Sequence, residues 1–119
     1  TIPNAEISFI KLSSYSGTET TGKVNELIGI NGNISGRNIV ILEDIIDTGI
    51  TLGKIMSLLK KENVADVKIA TLLFKPESYK SDISINYIGK SIHNDFVVGY
   101  GLDYDEIGRN LPHIYKLKD

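Results

Sequence analysis

The sequence predicts an α/β domain with a mostly parallel sheet flanked by helices. Three observations carry this reading. Residues 39–42 (Ile-Val-Ile-Leu) are a continuous apolar run rich in β-branched side chains, the pattern of a strand buried on both faces. Leu52, Ile55, Met56 and Leu59 recur at helical spacing and mark one apolar face. Residues 67–74 form a second strongly apolar run. Strand, helix and strand in that order imply a right-handed parallel crossover. Such sheets bind ligands at the carboxyl ends of their strands.

Composition sets the outer bounds. The chain has 119 residues and 41% hydrophobic content, enough for one core, so residues 1–119 are read as a single domain. A net charge of −2 gives no electrostatic ground for nucleic-acid or membrane-surface binding. The lack of cysteine excludes disulfides and thiolate metal sites and fits a cytoplasmic protein. No apolar run approaches a membrane span, and no secretory signal is present. The chain starts at Thr1 and enters a strand-like segment at once, which reads as a truncated start.

In order, residues 5–12 read as a strand with Ile7, Phe9 or Ile10, and Leu12 as candidate core positions. Residues 13–22 are polar and flanked by glycine, so a mobile surface loop is expected. Residues 23–30 are a second strand, followed by the turn chemistry of Asn31, Gly32, Asn33 and Gly36. The two strands are read as arms of one hairpin. A helix over about residues 51–61 ends on Lys60 and Lys61, favourable at the negative end of its dipole. Residues 77–86 are a polar connection without a signature, and residues 87–89 a short edge strand. Residues 114–117 close the fold. His93 and His113 lack metal-ligand spacing and read as surface or turn residues.

Chemistry concentrates where the first apolar run ends. Glu43 and Asp44 follow it directly, then Asp47, Thr48, Gly49, Ile50 and Thr51. Gly49 allows a sharp bend and a close approach of backbone to ligand. Thr48 and Thr51 offer hydroxyls, and the first amides of the following helix form a cradle for a phosphate. The carboxylates would repel that phosphate. They suit hydroxyl donors, a divalent cation, or a proton to be removed. A phosphoribosyl group, with a phosphate at one end and hydroxyls beside it, satisfies both halves.

Residues 40–52, Val-Ile-Leu-Glu-Asp-Ile-Ile-Asp-Thr-Gly-Ile-Thr-Leu, closely resemble the phosphoribosyl-pyrophosphate motif of type I phosphoribosyltransferases. The two isoleucines between the acidic groups look like the hypoxanthine (hypoxanthine-guanine) branch. Residues 96–104, Phe-Val-Val-Gly-Tyr-Gly-Leu-Asp-Tyr, resemble that branch's base-binding segment. The resemblance runs from about Ile7 to Leu117. One departure is Ile50, where some members carry lysine.

The resemblance implies a type I phosphoribosyltransferase fold with a motif at 39–52, a purine-binding segment at 75–117 and a lid at about 13–22 bearing Ser14 and Tyr15. It implies transfer of the phosphoribosyl group to N9 of hypoxanthine or guanine in purine salvage, with Mg²⁺. Glu43 and Asp44 would hold the ribose hydroxyls, directly or through the metal. Residues 47–51 would hold the 5′-phosphate, and Asp47 would act as general base. Lys75 would read the 6-oxo group, Phe96 would stack on the base, and backbone of Val97 would meet its edge. Asp103 would lie near base and metal, and Arg109 would hold pyrophosphate. Family members carry a pyrophosphate-binding loop upstream of the position matched by Thr1. The chain is therefore expected to lack the N-terminal part of the fold and to turn over little alone. The complete protein is expected to be a homodimer or homotetramer.

Three other readings compete with this one. A non-catalytic regulator sensing phosphoribosyl pyrophosphate or purines could keep the phosphate loop but would be expected to lose base or lid residues. A receiver-type signalling domain would need its acidic pair near the chain start. A dinucleotide-binding domain would need Gly-x-Gly-x-x-Gly after its first strand.

Overall fold

The computed structural model describes residues 2–12, 26–28 and 32–118. Its centre is a three-stranded parallel sheet of β3 (Asn38–Ile46), β4 (Asp66–Phe74) and β5 (Tyr87–Ser91), in that spatial order. Helix α1 (Ile50–Lys61) connects β3 to β4. A two-stranded antiparallel pair, β1 (Lys11–Leu12) with β2 (Glu26–Ile28), precedes this unit. A second pair, β6 (Val97–Val98) with β7 (Tyr115–Lys116), follows it.

The predicted parallel crossover is present. Asn38 pairs with Asp66, and the register runs to Ile46 opposite Phe74. Leu52, Ile55 and Leu59 of α1 are buried with Ile41 and Ile69 of the sheet, and Met56 packs against that cluster from its edge. These are the apolar helix positions expected from the sequence. Glu62 ends the helix, with its amide donating to the carbonyl of Leu59 at 3.0 Å.

Three expectations need correction. The first apolar run is not covered on both faces: Ile41 is buried, but Val40 and Leu42 are 56% and 78% exposed. Among the described residues a single helix covers this sheet, and side chains alternate across a strand, so every second residue faces away from it. Leu72 of β4 and Ile88 of β5 are also exposed, and an open apolar groove of about 420 Å³ runs over Leu42, Leu72 and Ile88. Second, β3 continues to Ile46, so Glu43 and Asp44 lie in the strand rather than in the loop after it. Third, the strand expected over 5–12 shrinks to Lys11–Leu12. Ile7 and Phe9 are 80% and 74% exposed, whereas Ile10 and Leu12 touch the core. The hairpin pairing itself is as expected, with Lys11 opposite Ile28 and a register irregularity beside it. Ser14 and Tyr15 lie outside the described residues.

Candidate active site

The strand delivers its acids to an open end of the sheet. Asp47, Thr48 and Gly49 make the turn out of β3, and Gly49 sits left-handed (φ 88°) immediately before Ile50 begins the helix. That geometry suits glycine, since a Cβ there is penalised. Gly49 offers no side-chain cap, and the first turn carries no acidic residue, so the leading helix amides are not neutralised from within. The Thr48 hydroxyl accepts the amide of Ile50 in a long bond of 3.4 Å, and the amides of Thr51 and Leu52 remain for a ligand. Glu43 and residues 45–52 wall a hollow of about 140 Å³. The predicted phosphate loop therefore has both a concave surface and free backbone donors.

Glu43 is half-buried, and burial pushes its carboxyl above the ordinary glutamate range, with the neighbouring Asp44 carboxylate adding to the shift. Asp44 is exposed and accepts the amide of Ile45 at 2.7 Å. A raised acid favours its protonated form in the folded state. Stability from this group is thus greatest in acid and falls as pH rises through its folded titration. Glu43→Gln is accordingly expected to raise the thermal midpoint of the ligand-free protein at neutral pH. The gain should vanish below the ordinary glutamate range, where both proteins are uncharged at this position. Midpoints measured across that range check the sign.

Lys75 is the residue whose surroundings were least visible in the sequence. It follows β4 directly, is only 7% exposed, and donates from Nζ to Asp47 Oδ2 at 3.3 Å. Its amide also donates to the carbonyl of Ile46 at 3.0 Å, extending the β3–β4 ladder by one rung. Two residues 28 positions apart in sequence thus form one ion pair at the sheet's carboxyl edge.

The C-terminal segment supplies a second group of residues. Phe96 is 52% exposed, so its ring is available rather than core, and the ring of Tyr104 meets it edge-on at 5.6 Å. Val97 lies in β6, paired with Lys116. Asp103 is held by Arg109, with Nη2 to Oδ1 at 3.0 Å, and accepts the amide of Glu106 at 2.9 Å. Arg109 also donates from Nη1 to the carbonyl of Gly101 at 3.1 Å. Gly99 must be small: a Cβ there would collide with the carbonyl oxygen of His113. His93 is exposed and bonds Glu77 at 2.9 Å, which raises its affinity for a proton. No three carboxylate or imidazole groups among the described residues converge as a ready-made metal cage. No helix among them is long and apolar enough to cross a membrane.

Tyr79 and Lys80 were missed by sequence reasoning. The ring of Tyr79 lies against Gly49, and the Lys80 amide donates to the carbonyl of Thr48 at 3.1 Å. Both residues fall in a polar stretch with no periodicity, so no local signal marks them.

Comparison with known proteins fits this arrangement. A family model described as "Phosphoribosyl transferase domain" matches residues 4–105. A hypoxanthine-guanine phosphoribosyltransferase of Staphylococcus epidermidis is 50% identical over 113 residues, covering 94% of this chain and 63% of that protein. The crystal structure of a hypoxanthine phosphoribosyltransferase from Staphylococcus aureus matches with a TM-score of 0.83 at 47% identity, over 93% of this chain and 61% of that one. The enzyme of that name from Trypanosoma cruzi matches with a TM-score of 0.82 at 35% identity, over 95% and 60%. The chain therefore spans a little under two thirds of the length of these relatives. With the match extending over residues 4–105 and the fold shared at such identities, the chain belongs to the phosphoribosyl transferase domain family.

Proposed function

We propose that this chain carries the phosphoribosyl- and purine-binding machinery of a hypoxanthine-guanine phosphoribosyltransferase acting in purine salvage. The reaction moves the phosphoribosyl group of phosphoribosyl pyrophosphate to N9 of hypoxanthine or guanine, giving IMP or GMP and pyrophosphate. The C1′–oxygen bond to pyrophosphate breaks, the N9–C1′ bond forms, and the proton on N7 of the base leaves to Asp47. The observation that carries this reading is the Lys75–Asp47 pair, 3.3 Å across, beside a concave loop with free helix amides. A free 6-oxopurine that carries its proton on N7 presents an oxo acceptor and an N–H donor side by side on one edge. A lysine donor next to a carboxylate acceptor is the complement of that edge.

The remaining roles follow from charge. Residues 47–51 (Asp47, Thr48, Gly49, Ile50 and Thr51) hold the 5′-phosphate through amides and hydroxyls. Glu43 and Asp44 accept from the ribose hydroxyls, and positive charge developing on the sugar ring is favoured beside them. Phe96 stacks on the base, and backbone of Val97 meets its edge. Arg109 faces the leaving pyrophosphate and Asp103 lies near the base.

Mg²⁺ fits this donor set. Such ions are commonly held by one or two carboxylates together with substrate phosphates rather than by a full protein cage. Glu43, Asp44 and Asp103 are the residues that would hold it, and Glu43's reluctance to ionise alone is what a nearby cation would offset. When bound, the ion supplies charge neutralisation on the pyrophosphate. On the resemblance alone, the complete protein acts in the cytoplasm as a homodimer or homotetramer.

The test is nucleotide formation by the full-length protein from hypoxanthine, guanine, xanthine and adenine, with and without Mg²⁺. Formation of IMP and GMP, with adenine rejected, is expected. Binding of these ligands without turnover would overturn the reading.

A further inference from the structure

We infer that Tyr79 is a positioning residue for the phosphate loop. It acts through Gly49 and touches no substrate. The inference rests on the reading that residues 47–51 hold the 5′-phosphate.

Within itself the loop has one side-chain support, the long bond from the Ile50 amide to the Thr48 hydroxyl at 3.4 Å. Gly49 provides no side-chain cap, and no acidic residue in the first helical turn braces it. Its shape is fixed instead from the far side of the chain. A Cβ built on Gly49 would lie 2.7 Å from Cε2 of Tyr79, 3.2 Å from its Cδ2 and 3.0 Å from Cβ of Ser81. The tyrosine ring therefore lies directly against the glycine, filling the space that a side chain would take. One residue on, the Lys80 amide donates to the carbonyl of Thr48 at 3.1 Å.

The ring is itself held on two sides. Its hydroxyl donates to the carbonyl of Ile83 at 2.6 Å, and Phe74 packs edge-on with centroids 5.2 Å apart. The Ile83 amide donates to Ser81 Oγ at 3.2 Å, closing the turn. Residues 75–83 thus form a strap that starts at the buried Lys75, crosses beneath the phosphate loop and returns to the core. Close-packed contacts of this kind transmit small displacements instead of absorbing them. A loop that binds phosphate through backbone amides is sensitive to such displacements, because amide direction decides the strength of each bond.

Kinetics of the full-length protein separate positioning from general structural support. Tyr79→Leu is expected to raise KM for phosphoribosyl pyrophosphate by about tenfold, with KM for hypoxanthine little changed. Tyr79→Phe keeps the ring and should restore the native value, despite losing the bond to Ile83. Thr48→Val tests the underlying reading, since it removes a hydroxyl from the loop itself. If Thr48→Val raises that KM and Tyr79→Leu does not, the role of Tyr79 is overturned while the phosphate loop stands. If neither moves it, both fall. A parallel rise in both KM values with Tyr79→Leu would mark general loosening and also overturn the inference. A measurement on the unsubstituted protein guards against a variant that fails to fold. The Tyr79 ring resonances should shift when ribose 5-phosphate is added, and unmoved resonances would overturn the role.

Discussion

Replacing Asp47 with asparagine is expected to depress turnover by about 10²–10⁴-fold, the usual worth of a positioned general base. Asparagine has nearly the same shape, so the turn into α1 and the neighbouring loop should survive. Its amide can still take part in hydrogen bonds, but it cannot accept the N7 proton. Nucleotide binding should therefore stay largely intact while kcat collapses. Single-turnover rates together with the Kd for IMP separate the two. Native turnover in the variant would remove Asp47 from the mechanism.

The second large effect is expected at Lys75. Its ammonium is buried beside Asp47 and, on the proposed reading, donates to the 6-oxo group. Hydrogen bonds to charged groups are worth roughly 1.5–3 kcal/mol, so Lys75→Ala should raise KM for hypoxanthine by about 10- to 100-fold. Adenine should gain relative to hypoxanthine, because the native lysine would face an amino donor with a donor of its own. The ratio of kcat/KM for the two bases is the measurement. An unchanged ratio would show that something else reads position 6 of the ring.

The sequence made the central unit legible because its signals are local. Branched apolar residues at 39–42, helical spacing from Leu52 to Leu59 and the apolar run ending at Phe74 each announce an element without outside help. The run at 40–52 was specific enough to point to one family, and the glycine before the helix was a visible mark of the turn. What stayed hidden depends on contacts between distant residues. Nothing near Lys75 predicts its burial, which comes from its place at the end of the middle strand. Nothing near Tyr79 predicts that its ring backs a glycine thirty positions earlier. The opposite error arose at Ile7, Phe9, Val40 and Leu42. Their composition reads as core, but burial requires a partner layer, and α1 covers one face of the sheet.

Asp47 and Lys75 each stand one step past a paired rung, Ile46 opposite Phe74, on neighbouring strands. Adjacent strands keep a nearly constant gap of about 4.8 Å, set by the hydrogen-bonding ladder. The sheet thus serves as a ruler, and the spacing of the Asp47 carboxylate and the Lys75 ammonium is graduated in backbone. On the proposed reading, redesigning the nucleobase preference would mean exchanging the chemical groups at those two marks, because sliding them apart would require breaking the ladder itself.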